Sequence, residues 1–559
     1  MVSGVFYSVG PTLFYFLRSE VMGDRFSTDF LDPRRFTILV RWGEGPHLLS
    51  LVFLPLVGVF FALALRRKNF WLLVAAAVAF ALTALSNALG MMGALLLVFS
   101  IAFVRYARWP KEHTRTAFST VLLVLLGLGL VSFWFNLSFL TNFFGEGGKA
   151  ASIYLSLFPW GWVGAIFGAG LLYLVVGKIL RDSGVAASLV WFSLVFTVVY
   201  VYYFSADIAE LRIELLPQAL RYMTQVDLSF SVLVGAVVAW MLKRIGSRFR
   251  LAELILSLFL IVISMYSFMY IQPFLSVSAA ATSNVVDLSR TRERVIAEWL
   301  SSHVDTEKGE RVFLPGNYGF FLNWFTDVWQ HRGALFQAAT HPWPEHIHFQ
   351  MANGKDPEVV RAWLVAINAK YAVVTGPGSS ELYKEIKYLD RFADMPVVYE
   401  ESGDTIYKVP LIRPSLAKPV DKLSLGRLVP PQKADDKQAL LDYADWVEKS
   451  SLNEAEFRMI DHDTYTISGA LDDGEAVLVQ MTADPGWTAF DAARGKKVSK
   501  GEDPLGFLVL FPEPGEFEIT LRHRSTWRQW LGYVTTAATL VFIVWYGVRR
   551  KRLTSSVER

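Results

Sequence analysis

Apolar residues recur along the first half of the chain in runs of about 17 to 20, long enough to cross about 30 Å of hydrocarbon as helices. Eight such runs fall at 48–65, 69–85, 87–104, 117–135, 161–180, 185–204, 228–242 and 252–271. A ninth, 529–548, is followed at once by Arg549, Arg550, Lys551 and Arg552. Between the eighth and ninth runs the pattern shifts to short periods in a polar segment of domain size. A segment held between a bundle of spans and one last span must lie on a single side of the bilayer.

The loops give the side. One alternating set carries Arg66, Arg67, Lys68; Arg105, Arg108, Lys111, Arg115; Lys178, Arg181; and Lys243, Arg244, Arg248, Arg250. The other set carries only Lys149, Arg212 and Arg221. Basic loops stay in the cytoplasm, so the polar segment is expected to face outward and the tail 549–559 inward. The leading segment 1–47 is then also expected outside. Residues 5–17 are mostly apolar, but Pro11 interrupts them and no basic stretch precedes them, so no cleavable signal peptide is read there.

The outward part divides by pattern. Over 272–412 helix and strand signals alternate: helical spacing at 287–303, 357–369 and 381–389, strand signals at 311–314 and 371–375, and a hairpin at 397–400 and 405–409. This predicts an α/β subdomain. A Pro- and charge-rich stretch dominates 413–454 and reads as a connector. Period-two segments at 476–481, 506–511 and 516–521, with turns at 472–474, 484–486 and 512–515, predict a small β-sandwich over 455–526.

Composition narrows the chemistry. Hydrophobic residues make up 53% of the chain, and the net charge of +3 does not suggest nucleic acid. With no cysteine there is no disulfide, thiolate metal site or cysteine nucleophile. No P-loop, dinucleotide fingerprint or nucleophile elbow occurs. Thr375-Gly376-Pro377-Gly378 follows a strand signal, but Pro377 removes an amide a phosphate would need, so it reads as a turn.

Three constellations carry candidate chemistry. Arg41, Glu44 and His47 lie in a Gly- and Pro-opened stretch just before the first span, either as a polar site at the membrane surface or as a helix-entry turn. In 216–227, helical spacing from Pro217 would set Gln218, Arg221 and Gln225 on one face with Tyr222 beside them. A polar stripe entering an apolar bundle is costly unless it lines a cavity or pairs, and Arg221 can clamp a phosphate with two donors. The third is 316–333 with Gln337. There Asn317, Asn323, Asp327 and Gln330 alternate with Tyr318, Phe320, Phe321, Trp324 and Trp329, the mix of planar polar groups and aromatic faces that binds sugars or, equally, docks a domain. Glu345, His346 and His348 lack metal-site spacing, so no metal site is assigned.

These three stretches resemble large bacterial and archaeal polytopic membrane proteins often labelled 6-pyruvoyl-tetrahydropterin synthase-related. The order of spans, outward α/β layer, outward β-module and last span is similar to YfhO-type proteins and, through them, to GT-C glycosyltransferases. The resemblance implies an α-helical membrane bundle in the plasma membrane with a polyprenyl-phosphate-linked sugar as partner, and usually a divalent cation. It also implies an acid in a first outward loop. This chain is expected to lack that first span and loop, and Glu20, Asp24, Asp29 and Asp32 align with no such acid. Two functions follow as expectations: a GT-C-like transferase, or its distal part, moving a sugar to an outward acceptor; or a non-catalytic protein that binds or translocates a lipid-linked glycan.

Overall fold

The computed structural model describes Ser3, Tyr7, Gly168, Leu258, Phe259, Val262, Met265 and residues 45–146, 183–209, 215–216, 218–245, 287–331 and 343–557. The chain forms two compact units, Met1–Val285 with Trp527–Arg559, and Val286–Thr526.

The first unit is helical. Its helices are α1 (Gly45–Arg67), α2 (Phe70–Ser86), α3 (Ala88–Arg108), α4 (His113–Val131), α5 (Ser183–Ala209), α6 (Met223–Ile245) and α12 (Trp527–Val557). Six segments are long and apolar enough to cross a membrane, and α2, at 17 residues, is a shorter apolar helix. The expected spans 161–180 and 252–271 lie largely outside the described residues. Outward-facing apolar side chains such as Val52, Phe118, Val121 and Leu125 are exposed, as lipid contact requires.

Small residues let the helices approach. Thr536 on α12 donates to the Gly129 carbonyl of α4 at 3.0 Å and accepts from the Phe133 amide at 3.0 Å. A side chain at Gly532 would strike the Ser132 carbonyl. Asn residues cap the turns: Asn69 accepts from the Trp71 amide and Asn87 from the Leu89 amide, each at 2.8 Å.

The second unit joins two sheets. The first has strand order β2-β1-β3-β5-β4, with β1 (Arg311–Phe313), β2 (Trp329–Gln330) and β3 (Ala369–Thr375) parallel and β4 (Val397–Glu401) and β5 (Asp404–Lys408) antiparallel. Helices α7 (Arg292–His303), α8 (Gly316–Phe325), α9 (Trp343–Asn353) and α10 (Pro357–Ala366) accompany it. The strand and hairpin expectations hold there, and 376–378 forms a turn, as read. No helix forms over 381–389: Glu381 turns inward and accepts the amides of Asn317, Tyr383 and Lys384, which ties that stretch to the start of α8.

The second sheet has eight antiparallel strands in the order β6-β9-β12-β11-β10-β13-β8-β7. They are β6 (Ala417–Asp421), β7 (Ala455–Asp461), β8 (Thr464–Leu471), β9 (Glu475–Thr482), β10 (Trp487–Asp491), β11 (Lys496–Glu502), β12 (Phe507–Phe511) and β13 (Gly515–His523). Its edges β6 and β7 approach each other, so the expected sandwich is instead one sheet curled almost into a barrel. The stretch read as a connector supplies β6 and helix α11 (Lys437–Lys449). Leu440, Tyr443 and Trp446 of α11 share one buried core with Trp363 of α10 and with Val509 and Phe507 of β12. That shared core explains why charge-rich composition was a poor guide: α11 is amphipathic, and apart from the buried Glu448 its charges lie on the outer face.

Candidate functional site

In the membrane unit, two of the three constellations meet. Helix α1 starts at Gly45 and buries His47 in its first turn. Gln225, in the first turn of α6, reaches across: its Nε2 lies 3.3 Å from His47 Nε2 and donates to the Leu89 carbonyl of α3 at 3.1 Å. For the amide to donate to it, His47 Nε2 must carry no proton. Gly93 on α3 leaves the space the amide occupies, since a side chain there would collide with the Gln225 amide. Ser50 donates to the His47 carbonyl at 2.5 Å. Leu51, Leu89, Trp191, Tyr222, Met223 and Val226 enclose this polar centre as one apolar cluster. It sits at the end of the bundle where α2 turns into α3, opposite the turn that carries Arg66 and Arg67.

The segment entering α6 differs from the expected stripe. Gln218 takes a left-handed conformation (φ 57°), a 3-10 turn covers Ala219–Tyr222, and the α-helix starts only at Met223. The tighter turn rotates the residues out of register. Gln218 and Arg221 are exposed, while Tyr222 and Gln225 are fully buried. Arg221 still lies within electrostatic range of His47. Asp227 is buried one turn further in. Among the described residues, Gln225 Oε1 and Trp191 Nε1 are buried with no hydrogen-bond partner. Such groups inside an apolar bundle are costly. Arg41 and Glu44 lie outside the described residues.

In the second unit the third constellation is divided. Asn317 is held at the start of α8, its side chain donating to Glu293 at 2.7 Å and its amide to Glu381 at 2.7 Å. Asp327 and Trp324 are exposed, and Gln337 lies outside the described residues. Asn323 and Gln330 hydrogen-bond to each other at 2.7 Å and together line a cavity of about 660 Å³. Its other walls come from α9, β9, β10 and β13, far apart in sequence, which is why the sequence pattern gave no signal for them. Three tryptophans line it, Trp329, Trp343 and Trp487, along with Arg311, Asp484 and His523. His348, weighed above for a metal, faces Glu385 at 2.8 Å. No cluster of three His, Asp or Glu side chains among the described residues is placed to hold a metal ion.

No family profile, curated protein or solved structure matches this chain.

Proposed function

We propose that the chain is a GT-C-like membrane protein acting on a lipid-linked glycan at the outer face of the plasma membrane, as a glycosyltransferase or its distal part. The observation that carries this reading is the buried His47–Gln225 centre, with partnerless polar atoms in the surrounding bundle and the Arg221 guanidinium near its mouth. A polyprenyl chain has the apolar bundle surface to lie against, and its phosphate has a planar five-donor cation to meet. A second reading, binding or translocation of the same glycan without chemistry, has its own support. The centre is built of imidazole, amide and hydroxyl groups, which bind well, and Asp227 is the one buried carboxylate among the described bundle residues. Transfer of a labelled sugar from a polyprenyl-phosphate donor by the full chain in proteoliposomes separates the two.

The Arg221 substitutions test the site. Arg221→Ala should weaken polyprenyl-phosphate binding at least tenfold with little change in thermal stability, because the side chain is exposed. Arg221→Lys should restore only part, since a point charge replaces a bidentate fork. If both variants bind like the parent, Arg221 is an interfacial anchor and the phosphate sits elsewhere.

Orientation is tested independently. A reporter fused after Ser278 should score as extracytoplasmic and one at the C-terminus as cytoplasmic, following the loop charges. The opposite result at either position removes the outward-facing reading.

A further inference from the structure

The cavity of the second unit has a built-in charge that the fold does not neutralise. Arg311 on β1 is nine-tenths buried on its wall. Its guanidinium donates to two backbone carbonyls, Ile367 at 3.1 Å and Gln480 at 2.9 Å. Ile367 caps the end of α10, so the helix dipole offsets part of the charge. Among the described residues no carboxylate pairs with it. Burial draws its pKa down to about 10, which leaves it charged at neutral pH. A buried cation held by carbonyl dipoles alone is costly, and an arriving anion would supply charge-assisted bonds to its remaining donors.

The rest of the lining selects the body of the ligand. Trp343 and Trp487 line the cavity with aromatic surface of the kind that packs on the C–H face of a sugar ring. Gln330 offers its side-chain carbonyl oxygen, its amide protons being held by Gly319 and Asn323, and Asp484 offers a carboxylate fixed by His523 at 2.9 Å and by the Gly486 amide at 2.6 Å. Those groups suit ring hydroxyls. Asp484 forms no ion pair with Arg311, whose pKa is moved by burial alone. The cavity volume of about 660 Å³ falls within the usual range for small-molecule sites.

We propose that this cavity binds an acidic saccharide, its ring stacked on the tryptophans and its anionic group on Arg311. The site is built wholly from residues of the second unit, and it holds whichever reading of the bundle is correct.

The test uses the full chain in lipid nanodiscs, titrated calorimetrically with digalacturonate, its uncharged dimethyl ester, galactose 6-sulfate and galactose 6-phosphate. At least one acidic sugar should bind, and digalacturonate, if it binds, should do so at least tenfold more tightly than its ester. The sulfate and phosphate arms identify which anion is preferred. Trp343→Ala, at a half-buried position packed against Trp363, should lower the thermal transition and, measured well below it, weaken binding about tenfold. Arg311→Lys should keep a reduced preference for the acid, and Arg311→Met should erase it. If Arg311→Met does not fold, the acid-to-ester ratio of the parent and the Trp343→Ala result still decide. Failure of all three acidic sugars to bind, equal binding of acid and ester, or unchanged binding by Trp343→Ala overturns the proposal. None of these outcomes bears on polyprenyl-phosphate binding by the bundle.

Discussion

Replacing Glu448 with alanine is expected to destabilise the second unit by about 3–5 kcal/mol, the cost of leaving a buried charge without its partner. Glu448 on α11 is buried and accepts from Lys418 Nζ at 3.2 Å and from the amides of Ile412 and Arg413 at 2.5 and 3.0 Å. Lys418 sits on β6 and is almost wholly buried; Asn368 is its other partner, at 2.9 Å. The loss is large against a typical domain stability of about 5–15 kcal/mol. The pH dependence has a definite sign. Burial pulls the Lys418 ammonium down from 10.5 to about 8, against the attraction of Glu448. Between those values the folded chain binds fewer protons than the unfolded one, so stability should rise with pH. Removing Glu448 should lower the Lys418 pKa further and widen that window. Denaturant unfolding of the parent and of Glu448→Ala at pH 7 and pH 10 checks this. Equal stability of the two proteins at pH 7 would contradict it. The swap Lys418→Met with Glu448→Leu should recover only part of the loss: the buried charges are gone, but the amides of Ile412 and Arg413 lose their acceptor.

Gly93→Ala is expected to cut the carrier phosphate's contribution to lipid binding sharply while leaving the bundle folded. The new methyl group would occupy the place of the Gln225 amide. That amide is the tip of a flexible side chain, so rotation relieves the clash. What is lost is its contact with His47 and its bond to the Leu89 carbonyl. An unsatisfied buried amide costs about 1–3 kcal/mol. Adding Gln225→Ala to Gly93→Ala should restore most of the stability and none of the binding, a coupling read by a double-mutant cycle. Full binding by Gly93→Ala would show that the His47–Gln225 centre does not hold the ligand.

Local pattern served the elements well and the sites unevenly. Long apolar runs place α1, α2, α3, α4, α5, α6 and α12 because the bilayer demands one simple composition. Period-two stretches likewise place β9, β12 and β13. The sequence did not reveal α11, whose charged outer face outweighed Leu440, Tyr443 and Trp446 in a reading by composition. Nor did it reveal the near-closure of the second sheet, since its two edges, β6 and β7, are separated by α11 and more than thirty residues of chain. His47 and Gln225 were each visible as polar residues at a span entrance, yet their meeting depends on the small residue at Gly93 and on the 3-10 turn before Met223. Regular helical spacing could not anticipate that turn, and it separates Arg221 from the buried face. The cavity drew Asn323, Trp329, Gln330 and His331 from the legible aromatic stretch. Trp343, Trp487, Arg311 and Asp484 reach it from other strands and helices, and no linear motif joins them.

The most direct measurement is the affinity of the full chain, held in nanodiscs, for polyprenyl phosphate compared with the same polyprenol lacking the phosphate. The alcohol should bind weakly, through apolar contact alone. The phosphate should bind at least tenfold more tightly, with an advantage that shrinks in Arg221→Ala and Gly93→Ala. Equal affinity for the two lipids, or a phosphate preference untouched by both substitutions, would contradict a carrier-phosphate site at the His47–Gln225 end of the bundle.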